Sequence, residues 1–347
     1  MKIDLADTGE REPKSPHAGS APSRRVGRRA RRWKVAGALA LVVMVVGLAL
    51  RDTSPVGHFA SAQGRDRFMA TYERAMRALP PPDSTLDVRT DYGVVRFYRF
   101  EGASPELSPL VLLPGRASAS PVWADNLPSL RSLRTVYTVD LLGEPGASVQ
   151  DRPIENDDDQ ARWLHQALAG LPEPKLNLFG VSIGGWTAMN LAARQPDKIA
   201  SVSVLDPAAT FAPMSVEAVV RSIPASVSWF PKSWRDSFNS WTANGAPVKQ
   251  VPLADMIEAG MQTYALKLPS TITPFPEETL AGIRVPVLVI MAGRSVMHDS
   301  AAAADRARRT LRHGTVIVYP DASHAINGEY PQQIANDVGT FLARASR

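Results

Sequence analysis

The chain has 347 residues, of which 44% are hydrophobic, so it is long enough for one large α/β domain with appendages or for two small domains. It contains no cysteine, which excludes a disulfide, a thiolate metal site and a cysteine nucleophile. The net charge of +5 arises at one end, because residues 1–34 hold ten basic and four acidic residues whereas the rest holds 29 and 30. Such a near-neutral body offers no basic surface, and we expect no nucleic-acid partner.

The N-terminal region combines a polar, basic tail with an apolar run. We predict that residues 1–34 are a disordered cytoplasmic tail, because they are rich in Pro, Ser, Gly and basic residues. Residues 35–50 carry no charge, and a helix of that length spans ~24 Å, somewhat less than a hydrocarbon core of ~30 Å. Trp33 and Arg51 are suitable interfacial anchors. Since basic flanks stay in the cytoplasm, the pattern predicts a single-pass signal anchor in the cell membrane, with the remaining chain extracytoplasmic.

Three other interpretations of this region are open. A cleaved signal peptide is favoured by the small-residue site Ala60-Ser61-Ala62, but this site lies unusually far beyond the apolar run. A buried globular helix conflicts with the seven flanking cations. The basic cluster could instead bind nucleic acid, but its position directly before the apolar run is explained more simply by a membrane anchor. We therefore prefer an uncleaved anchor at 35–50, followed by a linker at 51–64 and a globular domain at 65–347.

Apolar strands and helices alternate along the globular part. Strands are predicted at 86–90, 94–100, 109–113, 136–142, 175–179, 200–205, 287–291 and 314–319, and helices at 66–79, 157–171, 183–194, 300–312 and 331–343. Asp91-Tyr92-Gly93 joins the first two strands as a hairpin. Continuous apolar strands that alternate with helices predict a mostly parallel sheet covered on both faces.

The segment Gly180-Val-Ser182-Ile-Gly184 stands between a predicted strand and a predicted helix. Small flanking residues permit a very tight turn, which would expose the Ser182 Oγ at a strained apex. The N–H of Ile183 and the N-terminus of the following helix would face an oxyanion formed there. Ser182 is therefore a candidate nucleophile, although a plain glycine-rich turn would show the same pattern.

Four segments in one order resemble the α/β-hydrolase fold superfamily over residues 66–347. They are Leu112-Leu-Pro-Gly115, Asp140-Leu-Leu-Gly143 with Pro145-Gly146-Ala-Ser148, the serine turn, and Ala322-Ser-His324 with Glu329-Tyr-Pro331. The segment from Leu205 to Phe211 is similar to one in bacterial hydrolases. The resemblance implies an α/β-hydrolase fold with a central sheet of about eight strands, flanked by helices and preceded here by the N-terminal transmembrane helix.

The family places an inserted lid after its sixth strand, and this chain has about 75 residues there. Such a length is too great for a structureless loop, so we expect a small, mostly helical lid at about 208–284. It holds three of the seven tryptophans, Trp229, Trp234 and Trp241. These side chains would either supply an apolar pocket or hold the lid to the body.

The resemblance also implies roles for residues outside the serine turn. His324 follows the last strand, where the family keeps its base, and would take the proton of Ser182 and return it to the leaving group. The remaining histidines fit this role poorly: His17, His58, His165, His298 and His313. A second oxyanion donor, besides Ile183, maps to the backbone N–H of Arg116 or of Ala117. Pro114 replaces the family's histidine without removing that donor.

The triad acid is ambiguous in this sequence. The family's Gly-x-x-Asp pattern would place a carboxylate at Val296, which has none. Asp299 in the same loop is our preferred substitute, and Asp206 at the end of the preceding strand is the alternative. Asp299 could instead cap the helix at 300–312, and Asp206 could cap the loop before Pro207.

The sequence thus predicts a serine hydrolase that acts on an ester-like bond of a small acyl substrate through a Ser-His-Asp triad and an acyl-enzyme. We expect no metal and no organic cofactor, because neither a Gly-x-Gly-x-x-Gly nor a His-Glu-x-x-His motif occurs. An acyltransferase using the same serine and a non-catalytic, membrane-tethered binding protein remain alternatives. An epoxide- or halide-type hydrolase is disfavoured, because such relatives carry Asp at the position of Ser182. The oligomeric state is left open.

Overall fold

The computed structural model describes residues 53–227, 229–267 and 272–345. The predicted tail at 1–34 and the predicted membrane span at 35–50 lie outside the described residues. None of the helices formed by the described residues is both long and apolar enough to cross a bilayer.

The predicted strands and helices are present in the predicted order, together with short elements that the sequence did not predict. The strands are β1 (His58–Phe59), β2 (Ser84–Thr90), β3 (Gly93–Phe100), β4 (Leu110–Leu113), β5 (Val136–Val139), β6 (Val149–Gln150), β7 (Leu176–Val181), β8 (Ile199–Leu205), β9 (Tyr264–Ala265), β10 (Val287–Ala292) and β11 (Gly314–Tyr319). The helices are α1 (Ala62–Met76), α2 (Leu127–Arg131), α3 (Asp157–Ala169), α4 (Ile183–Arg194), α5 (Val216–Ala225), α6 (Lys232–Thr242), α7 (Pro252–Thr263), α8 (Glu277–Gly282), α9 (Ser300–Thr310), α10 (Ile326–Glu329) and α11 (Pro331–Ala345).

A nine-stranded sheet forms the centre of the fold. Its strand order is β11-β10-β8-β7-β4-β5-β3-β2, and the short β6 also pairs with β3. Strands β4, β5, β7, β8, β10 and β11 pair in parallel, whereas β3 is antiparallel to β2, β5 and β6. The mostly parallel α/β-hydrolase sheet is therefore confirmed. Parallel neighbours end at one edge of the sheet, so the loops that follow β4, β7, β8, β10 and β11 meet there.

Two hydrophobic clusters cover the two faces of this sheet. Alternate residues of β4 divide between them, with Val111 and Leu113 in one cluster and Leu110 and Leu112 in the other. Helices α3, α4 and α9 contribute to the first cluster, and α1 and α11 contribute to the second. Each fully buried Leu or Val stabilises the fold by about 1.5–3 kcal/mol, so these two clusters contribute strongly to the stability of the sheet.

The described part of the predicted linker is folded. Strand β1 pairs antiparallel with β9, with Phe59 opposite Tyr264. Helix α1 begins at Ala62, where the Ser61 Oγ accepts a hydrogen bond from the Gly64 N–H at 3.0 Å. The sequence missed this because a two-residue strand has no periodicity and takes its partner from a segment about 200 residues away.

The segment between β8 and β10, residues 207–286, is called the insertion below. It contains α5, α6, α7, β9 and α8, which agrees with the expected helical content. A buried ion pair joins α6 to α7, with Arg235 Nε 2.9 Å from one Glu258 oxygen and Nη2 2.8 Å from the other. Trp229 and Trp234 are 80% and 49% exposed. These two tryptophans therefore do not hold the insertion to the body.

Candidate active site

Ser182 occupies a sharp turn between β7 and α4, as the sequence predicts. Its backbone has φ 53° and ψ −119°, a conformation that costs a non-glycine residue about 1–3 kcal/mol. A Cβ at Gly180 would lie 2.3 Å from the Gly184 oxygen, and a Cβ at Gly184 would lie 2.2 Å from the Leu113 oxygen. Both flanking glycines are therefore required by backbone packing, which explains their spacing around Ser182.

Three main-chain hydrogen bonds hold the turn in this conformation. The Ser182 N–H donates to the Leu205 oxygen at 3.0 Å, at the end of β8. The Ser182 oxygen accepts from the Trp186 N–H at 3.1 Å and from the Ala208 N–H at 3.2 Å. The strained serine is thus braced by its own helix and by the loop after β8.

His324 lies beside Ser182, as predicted. Its Nε2 is 2.9 Å from the Ser182 Oγ, within hydrogen-bond distance. The loop after β11 that carries it is held on one side by Glu329, which accepts from the Ser323 N–H at 2.8 Å and from its hydroxyl at 2.5 Å. On the other side the His324 N–H donates to the Thr242 oxygen at 3.2 Å, at the end of α6. The insertion therefore contacts the loop of the candidate base.

The carboxylate paired with His324 is Asp206, which corrects our preference for Asp299. Asp206 Oδ2 lies 2.6 Å from His324 Nδ1, and Asp206 directly follows β8 with φ 39°. Asp299 is exposed, and its Oδ1 accepts from the Ala302 N–H at 2.9 Å as the N-cap of α9. Asp299 therefore caps the following helix, which was the other role that the sequence allowed for it.

A further histidine, His298, lies on the other side of this carboxylate. Its Nε2 is 3.2 Å from Asp206 Oδ1, and both side chains are almost completely buried. Burial would raise the pKa of Asp206, but the charge of the nearby His298 and the hydrogen bond and charge of His324 outweigh burial and hold that pKa well below its usual range. Burial lowers the pKa of His298, but the attraction of Asp206, with a smaller contribution from Asp299, raises it above its usual value. Asp206 is therefore ionised at neutral pH.

The two predicted oxyanion donors border the serine turn. Ile183 is the first residue of α4, where the helix leaves N–H groups unpaired. The loop after β4 approaches from the other side, because a Cβ at Gly115 would lie 3.7 Å from the Ser182 Cβ. The Ala117 N–H donates to Glu144 Oε2 at 2.8 Å and is occupied, whereas the Arg116 N–H has no partner within the described residues. Of the two sequence alternatives, Arg116 is the available donor.

Glu144 holds this loop and was missed by the sequence reasoning. Its carboxylate is buried, accepts the Ala117 N–H, and lies 3.6 Å from the Arg116 guanidinium. Burial raises the pKa of Glu144, while Arg116 and the Ala117 amide oppose that rise. The sequence signal that could have identified Glu144 is its position directly after Gly143, between two segments that resemble the family.

Ser182, His324 and Asp206 form a hydrogen-bonded series that is suited to nucleophilic catalysis. The Ser182 hydroxyl faces an imidazole that can take its proton, and a buried carboxylate orients that imidazole. The candidate main-chain N–H donors for a developing oxyanion are Ile183, at the start of α4, and Arg116, in the loop after β4. Among the residues that the structure describes, no group of three or more His, Asp or Glu is arranged to hold a metal ion.

Comparisons with known proteins identify the family of this chain. The model of the alpha/beta hydrolase family matches residues 110–337. The uncharacterized carboxylesterase nap of Bacillus subtilis (strain 168) is 25% identical over 282 residues, which are 80% of this chain and 92% of that protein. Carboxylesterase YbfK of the same organism is 25% identical over 291 residues, 82% of this chain and 96% of that protein.

The fold has a solved counterpart. The crystal structure of naproxen esterase (carboxylesterase NP) from Bacillus subtilis matches with a TM-score of 0.74 at 24% identity, covering 81% of this chain and 99% of that chain. The family match extends over more than half of the chain, and the similarity to the two carboxylesterases extends over most of it. The chain therefore belongs to the alpha/beta hydrolase family, within which it is a carboxylesterase-like enzyme.

Proposed function

We propose that this protein is a serine hydrolase that cleaves an ester-like bond, with Ser182 as nucleophile, His324 as general base and acid, and Asp206 as the orienting carboxylate. The observation that carries the proposal is the position of His324 between the other two. Its Nε2 lies 2.9 Å from the Ser182 Oγ, and its Nδ1 lies 2.6 Å from Asp206 Oδ2. Both distances are within the reach that proton transfer and orientation need.

Acylation follows from these contacts. The Ser182 Oγ attacks the acyl carbon while His324 Nε2 takes its proton, and Asp206 stabilises the imidazolium that forms. The carbonyl oxygen becomes an oxyanion that accepts hydrogen bonds from the N–H groups of Ile183 and Arg116. The bond from the acyl carbon to the alcohol oxygen then breaks, and His324 returns the proton to that oxygen, so an alcohol leaves.

Deacylation repeats these steps with water. His324 takes a proton from a water molecule, and the resulting hydroxide attacks the acyl carbon bound to Ser182. The bond to the Ser182 Oγ breaks and the serine recovers its proton from His324, which releases a carboxylic acid. In an acyltransferase, a hydroxyl of a second substrate would take the place of this water.

The substrate in this proposal is a small-molecule ester. Its support is the similarity to two proteins that bear the name carboxylesterase. We assign the insertion as a lid that forms one wall of the acyl site, because its helix α6 ends against the loop of His324 through the Thr242 oxygen. The apolar lining expected from the sequence would then come from residues other than the exposed Trp229 and Trp234.

A fluorophosphonate probe and short p-nitrophenyl esters test the proposal. Wild-type protein should be labelled and should hydrolyse the ester, and Ser182→Ala should lose both, by on the order of a thousandfold or more in kcat. Ser226→Ala, which changes an exposed serine of the insertion, should behave as wild type. Folded wild-type protein that takes up no label would sink the hydrolase proposal. Faster ester consumption on addition of an alcohol, with a new ester formed, would favour acyl transfer.

We also infer that residues 35–50 anchor the enzyme in the cell membrane, with the catalytic domain extracytoplasmic. The support is the charge-free run next to seven basic residues. Cleavage after Ala62 would remove β1 and with it the pairing to β9, which favours an uncleaved segment. Protease added to intact cells should digest the catalytic domain, and protection from the protease would refute export. Without protease, the protein should stay in the membrane pellet after extraction with alkaline carbonate.

A further inference from the structure

His298 is a buried imidazole that the proposed mechanism does not use. It lies in the loop between β10 and α9, and its side chain is 1% exposed. Neither of its ring nitrogens makes a hydrogen bond of ordinary geometry within the described chain, and the polar atom that Nε2 approaches is Asp206 Oδ1, at 3.2 Å. A buried imidazole without other partners is costly, so its contact with a carboxylate is the feature that requires an explanation.

Asp206 would be poorly compensated without this neighbour. Its Oδ2 is used by His324, and within the described residues its Oδ1 otherwise accepts only from the Ala292 N–H, at 3.2 Å. The carboxylate is fully buried, and a buried anion with few donors is strongly destabilised. His298 therefore supplies positive charge or an N–H on the side of Asp206 that faces away from His324.

The loop that carries His298 is itself held in place. The Ser215 N–H donates to the Met297 oxygen at 2.7 Å, and the Ser215 hydroxyl donates to the Val296 oxygen at 2.9 Å. Ser215 belongs to the insertion, just before α5. The family's Gly-x-x-Asp pattern would place the acid in this loop, at Val296. In this chain the loop instead places the imidazole of His298 against Asp206, which follows the neighbouring strand β8.

We propose that His298 is a positioning residue of the active site, which keeps Asp206 ionised and fixed in direction so that Oδ2 faces His324. This inference rests on the proposed function, because it assigns His298 a role in the same triad. The charged groups that act on His298 are Asp206, at the end of β8, and Asp299, the next residue in its own loop. Asp299 is exposed, so the buried Asp206 is the partner that matters.

The test replaces His298 by residues that keep or remove the donor. Gln retains an N–H near the position of Nε2, so His298→Gln should keep kcat within about threefold of wild type. Leu removes the donor and the charge, so His298→Leu should lower kcat about 10- to 100-fold, as expected when a buried charge loses a partner, while KM stays unchanged. Rates are expressed per active serine, titrated with a fluorophosphonate, so that misfolded protein does not count.

Two controls separate the possible failures. His313→Leu changes an exposed histidine and should leave kcat and KM unchanged. If His298→Leu does not fold, His298→Asn serves instead, because its amide is too short to reach Oδ1 and should reproduce the loss in kcat. Full kcat in both His298→Leu and His298→Asn, measured where Ser182→Ala is inactive, would overturn the role of His298 alone. Activity in Ser182→Ala would instead overturn the proposed function.

Discussion

The serine turn and the acid loop belong to the same active site but are determined in different ways. At the serine turn, Gly180 and Gly184 are required because a Cβ at either position would collide with main-chain atoms about 2 Å away. The backbone conformation at this turn therefore requires glycine at both flanking positions. At the acid position, the requirement is only that a carboxylate reaches His324 Nδ1, so the strand that supplies it can vary.

The sheet explains this freedom. Strands β8 and β10 are parallel neighbours, with Leu205 opposite Ile290, so both end at the same edge. The Asp206 N–H donates to the Ile290 oxygen at 2.8 Å, and Asp206 Oδ1 accepts from the Ala292 N–H at 3.2 Å. A carboxylate placed directly after either strand would therefore start from the sheet edge at which the loop of His324 also lies. A motif therefore identifies the nucleophile of this fold more reliably than it identifies the acid.

Between the serine turn and the acid loop, leaving aside Ser182 itself, the largest expected effect comes from Asp206. Asp206→Asn preserves size but removes the charge that stabilises the imidazolium, so we expect kcat to fall by about ten-thousandfold with folding retained. The measurement is the kcat for a p-nitrophenyl ester, with circular dichroism as the check on folding.

Asp299→Asn is the matched control, because it makes the same chemical change at the carboxylate that the sequence favoured. Asn is also a good N-cap, so this variant should keep wild-type kcat. If Asp299→Asn lost activity and Asp206→Asn did not, the assignment of the acid would have to be reversed.

Much of the fold could be predicted from the sequence because buried strands such as Val287–Ala292 stand out as continuous apolar runs between helical segments. The parts that could not be predicted depend on distant pairing. Strand β1 exists only through its contact with β9, and neither two-residue segment has a recognisable pattern. The fold was thus predictable where local pattern and tertiary packing agree.

The site divides in the same way. Ser182, Ile183 and His324 stand at positions that a local motif or a strand end defines. Glu144 and His298 act through contacts with Ala117 and Asp206, which are remote in sequence. A buried carboxylate after Gly143 and an imidazole before an N-cap residue carry no sequence pattern of their own, so only the folded structure reveals them.

The serine turn should be intolerant of a single methyl group. Gly184→Ala would place a Cβ 2.2 Å from the Leu113 oxygen and 2.5 Å from the Pro114 oxygen. The backbone must shift, so we expect a loss of about 1–3 kcal/mol in the free energy of unfolding and a strong fall in kcat, measured by urea denaturation and ester turnover.

Gly282→Ala provides the comparison for this change. A Cβ at Gly282, the last residue of α8, would meet no atom within 4 Å. Its stability should stay within about 1 kcal/mol of wild type and its kcat should be unaffected. Equal behaviour of the two alanine variants would contradict the steric account of the serine turn.

The oxyanion side should respond more weakly than the acid side. Glu144→Leu removes the acceptor of the Ala117 N–H and the partner of Arg116, so the loop after β4 loses its anchor. We expect kcat to fall about tenfold with KM little changed, because a displaced oxyanion donor weakens the transition state more than the ground state. Glu144→Gln keeps an acceptor and should retain most of the activity; an equal loss in Gln and Leu would point to the charge instead.

The smallest effect is expected at Asp299, and it should appear in stability alone. Its Oδ1 accepts the Ala302 N–H at 2.9 Å, and substitution of such a cap by Ala typically destabilises a protein by about 1 kcal/mol. Asp299→Ala should therefore lower the urea midpoint slightly while kcat stays at the wild-type value. Because the cap is exposed, the buried pair of Asp206 and His324 should not be disturbed. A clear fall in the kcat of folded Asp299→Ala protein would show that the change at Asp299 reaches His298 through the loop after β10. It would contradict the separation of Asp299 from the pair of Asp206 and His324.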